Sequence, residues 1–128
     1  MKSTIIKIIL IAFLAMVCIV NNACKKHSIK VPTVSTADIT AIAATTADSG
    51  GDVTNDGGET LISRGLCWST HHNPTIADYC NYEAIHIGTF YSGMKNLMPL
   101  THYYVRAFAS NSAGVAYGDE KSFTTVVQ

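Results

Sequence analysis

Positive charge is what this 128-residue chain has least of once its first thirty residues are set aside. From Val31 onward only Arg64, Lys95, Arg106 and Lys121 are basic, against nine acidic side chains, a net charge of −5. Nucleic-acid binding calls for a basic patch to meet the phosphates, so nucleic acid is excluded as a partner. Apolar residues at helical spacing are also missing from this part of the chain, and charged residues make up only 14% of the whole. That excludes a helical bundle and leaves strands as the means of building a core. Three prolines and one tryptophan complete the shortages.

Catalytic patterns are equally scarce. Asp48-Ser49-Gly50-Gly51 echoes a serine-protease nucleophile, but such a serine needs a histidine base and an aspartate to orient it. The only histidine before it is His27. The glycines there are expected to serve a bend or bulge. The carboxylates scatter over turns without the facing pair a glycosidase requires. His27, His71, His72, His86 and His102 show no spacing of the kind zinc takes, and Asp48, Asp52 and Asp56 match no calcium loop. No metal, no cofactor and no enzymatic activity are expected.

The one long apolar run lies at the start. Lys2 and Lys7 precede Ile8 to Val20, thirteen apolar residues, and Asn21-Asn22-Ala23-Cys24 follows. A bilayer-spanning helix needs about 20 apolar residues, so this run has the length of a signal peptide. A small residue before Cys24 is similar to a bacterial lipobox. Residues 1–23 are therefore expected to be a lipoprotein signal peptide, with Cys24 lipidated and residues 24–31 a tether to the membrane. Lys25, Lys26 and Lys30 would lie near anionic headgroups. The expected location is outside the cytoplasm, on an outer membrane, facing either the periplasm or the surface.

The remainder reads as about seven strands separated by turns. Pro32 suits the edge strand that opens the set. Asn55-Asp56-Gly57-Gly58 is a turn, since these residues tolerate positive φ. Thr60 to Thr70 alternates, with Ile62, Arg64, Leu66 and Trp68 on one side. Thr75 to Gly88 is irregular, with a short edge strand. Thr89 to Leu97 and the segment from Tyr103 follow, and Val115 to Thr125 closes the set. From Tyr103 onward Tyr103, Val105, Ala107 and Ala109 share the core face, while Tyr104, Arg106, Phe108 and Ser110 face outward. Many short strands without helices indicate an antiparallel sandwich.

Leu97, Pro99, Thr101 and Tyr103 resemble the L-x-P-x-T-x-Y corner of fibronectin type III domains. Arg64-Gly65-Leu66-Cys67-Trp68-Ser69-Thr70, Ala116-Tyr117-Gly118 and Ser122-Phe123-Thr124-Thr125 resemble a divergent module of this kind in Bacteroidetes envelope lipoproteins. The resemblance covers residues 32–125 and implies a single all-β, immunoglobulin-like sandwich in which Tyr103 makes the corner hydrogen bond. It also implies that Cys67 usually stands without a partner, as a small packed residue. Cys67 and Cys80 are nevertheless the only thiols left beyond Cys24, so a disulfide between them stays open beside a buried free Cys67. Its loop of about 13 residues would stabilise by about 3 kcal/mol.

Function follows only as a class: a non-catalytic module for interaction or spacing at the cell envelope. Tyr104, Arg106, Phe108 and Tyr82 form the expected binding face, since aromatic rings stack on sugars and anchor proteins. The alternatives are a carbohydrate-binding accessory of a glycan-uptake system and a component of an adhesive or pilus-like assembly. The partners are thus the membrane, through the lipid, and a protein or glycan of the envelope.

Overall fold

The computed structural model describes residues 27–128, so the signal peptide and Cys24 lie outside the described residues. Eight strands follow in order: β1 Thr33–Thr36, β2 Ala47–Asn55, β3 Ser63–Ser69, β4 Tyr79–Tyr82, β5 Gly88–Met94, β6 His102–Asn111, β7 Gly114–Tyr117 and β8 Lys121–Thr124. All pair antiparallel. One sheet has the order β1-β2-β5; the other has β4-β3-β6-β7, with β8 also on β6. Face to face, the two sheets make a sandwich.

The count of eight rather than seven has a local cause. The expected closing strand is split: β7 pairs with Phe108–Asn111 and β8 with His102–Val105 of the same strand. Between them Gly118 N donates to Ala107 O at 2.8 Å, and Asp119 turns outward to accept from Thr36 N at 3.3 Å. The end of β1 fills the gap, where Thr36 Oγ1 accepts from Ala107 N at 3.0 Å. A backbone donor that loses its ladder partner must find another, and here a threonine hydroxyl serves.

Strand alternation sends Leu66 and Trp68 of β3, Tyr103, Val105, Ala107 and Ala109 of β6, and Phe123 of β8 inward. They meet Ala47 and Val53 of β2 and Phe90 and Met94 of β5. Each large apolar side chain buried there contributes about 1.5–3 kcal/mol. Ile62, which alternation puts on the side of Leu66 and Trp68, is 61% exposed: it precedes β3, and Leu61 takes the buried place.

The Gly50-Gly51 pair is not a bulge. The β2–β5 register runs unbroken through it, and the one irregularity of that sheet lies between Thr33 and Val34. A Cβ on Gly51 would sit 2.7 Å from Ala107 Cβ of the opposite sheet. Glycine here lets the two layers close.

Candidate functional site

The corner before β6 is built as a hydrogen-bonded connection. Tyr103 Oη accepts from Met98 N at 2.9 Å, and Thr125 Oγ1 donates to Met98 O at 2.6 Å. Thr101 Oγ1 donates to Pro99 O at 2.9 Å, and Leu97 is buried beneath. These contacts fix where β5 ends and β6 begins, and so set one wall of the region described below.

The outward face of β6 is not free. Phe108 points outward but is 0% exposed, which corrects its assignment to an exposed binding face. The cause is a row across the sheet: Gly65 and Tyr117 flank Phe108, and Tyr82 leans over it edge-on at 5.4 Å. Gly65 leaves room for the Asn81 carbonyl and the Phe108 ring: a Cβ there would fall 1.8 Å from Asn81 O and 3.1 Å from Phe108 Cε1.

Farther along the same face, the β3–β4 connection (residues 70–78) folds over Tyr104 and Arg106. His72 lies on Tyr104 with ring centroids 4.0 Å apart, and its Nδ1 meets Glu120 Oε1 at 2.7 Å. Arg106 donates to Pro74 O at 2.9 and 2.6 Å while its guanidinium covers the Tyr117 ring at 4.2 Å. Asn73 N donates to Glu120 Oε2, and Ile76 N donates to Tyr117 Oη at 3.1 Å. Of the four expected contact residues, only Tyr82 is exposed.

The open part of the molecule lies beside that roof. Strands β4 and β5 are the outer strands of their sheets on the same side. Between them and the β5–β6 connection is a cleft of about 1060 Å³, lined by Trp68, Tyr79, Asp78, Lys95, Asn96 and Met98 among others. Register places Trp68 opposite Tyr79, and their rings stack at 6.4 Å and 20°. Trp68 is buried whereas Tyr79 is 74% exposed, so the pair offers one ring to solvent backed by another. Asn81 donates to Ser92 Oγ at 3.2 Å and to Gly93 O, and Ser92 Oγ donates to Glu83 Oε1 at 2.6 Å. These bonds join β4 to β5 along the floor. The sequence does hold a signal for the ring pair: placing Cys67 opposite Cys80 also places Trp68 opposite Tyr79.

Alternation puts Arg64 on the same side as Leu66 and Trp68, and it is there, 2% exposed. Its guanidinium lies over Phe90 at 4.8 Å. It donates to Ala84 O at 2.6 Å, to His86 O at 2.7 Å and to His86 Nε2 at 2.6 Å. A buried charge is tolerable only when its donors are satisfied. These bonds gather the β4–β5 connection behind the cleft.

The site's groups suit contact better than catalysis. Both ring nitrogens of His71 are engaged by acceptors, His72 O at 2.9 Å and Asp78 Oδ1 at 2.8 Å. The His72 carbonyl, then Asp78, raises its pKa. When protonated, the ring donates to both acceptors and has no lone pair to serve as a base. Ser49 is equally occupied, donating to Ala37 O at 2.9 Å from a buried position. Among the described residues no three His, Cys, Asp or Glu side chains converge as a metal set would. Cys67 and Cys80 face each other as free thiols, with their Sγ atoms 2.7 Å apart.

No protein-family model matches the sequence, and no curated protein does. Solved structures do. The sensor domain of the anti-sigma factor RsgI4 of Pseudobacteroides cellulosolvens is 17% identical over 79% of this chain and 100% of its own, with a TM-score of 0.58. The FN1–FN3 domains of chicken CNTN1 are 18% identical over 78% of this chain and 33% of theirs, with a TM-score of 0.58. The fibronectin type-III domain of human fibronectin type III domain containing protein 3 gives 18%, 80%, 94% and 0.51 in the same order. Likeness at this level of identity speaks of architecture alone, and it agrees with the sheet orders above: the chain folds as a fibronectin type III-like β-sandwich.

Proposed function

We propose that this protein is a non-catalytic interaction module of the bacterial cell envelope, anchored by a lipid on Cys24, and that it meets its partner at the cleft between β4 and β5. One observation carries the choice of site. The outer face of β6 is covered by the chain's own loop, whereas Tyr79 stands exposed over Trp68 at the cleft wall. Exposed aromatic rings beside convergent polar groups are what binding sites are made of.

The tether's position supports the same reading. Lys30 N donates to Gly57 O at 2.9 Å, and Asn111 Nδ2 donates to Lys30 O at 2.6 Å. The chain thus joins the sandwich at the far end of β6 from the cleft. Register sets Tyr79 level with Val105, six residues from Asn111, and at about 3.3 Å per residue this puts the ring pair about 20 Å from the tether.

Within this reading the cleft favours a glycan over a protein. A rigid ring platform with Asp78, Asn96 and Lys95 around it can stack on a sugar ring and bond its hydroxyls. The anchor and the site are tested separately. The Cys24→Ala variant should move from the membrane to the soluble fraction, and an unmodified mature N-terminus at another residue would refute the anchor. On a glycan array the wild-type chain should bind, with Tyr79→Ala losing at least tenfold in affinity and Tyr104→Ala losing little. Equal losses in the two variants would refute the site. A stoichiometric protein captured by crosslinking on cells, with the array blank, would favour the adhesive-assembly alternative.

A further inference from the structure

We infer that Cys67 and Cys80 are joined by a disulfide in the exported protein, and that this bond secures the edge strand forming the cleft wall. The argument begins with register. Cys67 and Cys80 are direct partners on antiparallel strands β3 and β4. Glu83 N donates to Arg64 O at 2.9 Å across the same ladder, so Arg64 and Glu83 form a hydrogen-bonded pair. Pairs alternate along an antiparallel ladder. Counting from 64/83 through 65/82 and 66/81, the 67/80 pair is of the non-hydrogen-bonded kind.

In such pairs the Cα atoms approach to about 4.5 Å and the side chains are nearest. A disulfide takes Cα separations of about 4.4–6.8 Å, so the bond fits without moving a strand. The Sγ atoms already lie 2.7 Å apart, closer than two unbonded sulfurs sit comfortably.

Chemistry points the same way. Burial is the main cause raising both thiols above their ordinary pKa, and it acts more strongly on Cys67. Raised thiol pKa values are what buried structural cysteines show, whereas catalytic thiols are lowered. Cys80 is the more accessible and would react first. Its thiol exchanges with a small-molecule or protein disulfide, RSSR, giving the Cys80–SSR mixed disulfide and RSH. The Cys67 sulfur then displaces the second RSH. In sum two thiols and one RSSR become one protein disulfide and two RSH, with two electrons passing to the oxidant. Compartments outside the cytoplasm supply such oxidants.

The structural need is clear. Strand β4 has four residues and lies at the edge, yet it carries both Tyr79 and Tyr82. A bond closing this loop, with the two cysteines 13 positions apart, would restrict the unfolded chain and hold β4 to β3.

The test uses the full chain, exported with its own leader, extracted in detergent and denatured in N-ethylmaleimide. Both cysteines fall in the tryptic peptide Gly65–Lys95. Without reductant that peptide should carry no adduct and be about 2 Da lighter than the dithiol; after reduction it should carry two adducts. Two adducts before reduction, or a crosslink between chains, would overturn the inference. Reduction should also raise the unfolding equilibrium constant about a hundredfold. The Cys80→Ala variant, whose substitution spares buried Cys67, should unfold as the reduced wild type does and show no response to reductant. A wild type whose unfolding ignores reductant would overturn the role given to the bond. This result is independent of whether the cleft binds a glycan.

Discussion

At the scale of single residues, three side chains show how much one position decides. Phe108 and Tyr104 both point outward from β6, yet only Phe108 is sealed, by Tyr82 and the absence of a side chain at Gly65. Phe108→Ala should therefore cost about 3–5 kcal/mol, as for a core aromatic, while Tyr104→Ala should cost far less; urea denaturation of both variants checks this. Gly65→Ala should cost at least about 2 kcal/mol by overpacking, because the new Cβ meets the Asn81 carbonyl. Tyr103→Phe leaves Met98 N without its acceptor and should cost about 1–2 kcal/mol. A Tyr103→Phe variant as stable as wild type would show that water replaces the hydroxyl.

What can be read in the sequence at this scale is direction, not cover. Alternation from Tyr103 assigns the faces of β6 correctly, because a strand's side chains alternate whatever surrounds them. It cannot tell that Phe108 is roofed, since Tyr82 comes from a strand 26 positions away in the sequence. Arg64 is a second case. Its place in the alternation is legible, but its burial depends on Ala84, His86 and Phe90 converging on it.

At the scale of elements, the loop of residues 70–78 is the main departure from expectation. Residues His71-His72-Asn73-Pro74 read as a strand end, and they are one. That they then clasp the sheet depends on partners in β6, β7 and the β7–β8 connection. The clasp has a pH window. His71 has a raised pKa, so its contribution is fully present below its ordinary value of 6.5 and is lost as pH rises through the folded value. Asp78 and Glu120 are lowered, chiefly by the Thr75 and Asn73 backbone N–H groups, so theirs is present above ordinary values of 3.8 and 4.5 and lost as pH falls through the folded ones. The loop should be best protected between about pH 4.5 and 6.5. Amide exchange at residues 71–78, corrected for intrinsic rates, should show opening increase on both sides; protection flat from pH 3 to 9 would contradict the clasp. The groups are solvent-exposed, so added salt should weaken it.

At the scale of the whole molecule, the sandwich is legible because turn chemistry and alternation recur along the chain. The eighth strand is not, because the split at Gly118 follows from the close passage of β1, with Thr36 Oγ1 only 2.5 Å from where a Cβ on Gly118 would lie. Nor is the cleft, which exists only once two edge strands from different sheets come side by side.

The docking of Lys30 against Gly57 and Asn111 also has a mechanical side. A pull between Lys30 and the cleft runs parallel to the strands. It loads the β1–β2 ladder in shear, so that its hydrogen bonds resist together instead of opening one at a time as in a zipper. A domain strung this way should yield at higher force when stretched from Lys30 to the cleft than when a single edge strand is peeled sideways.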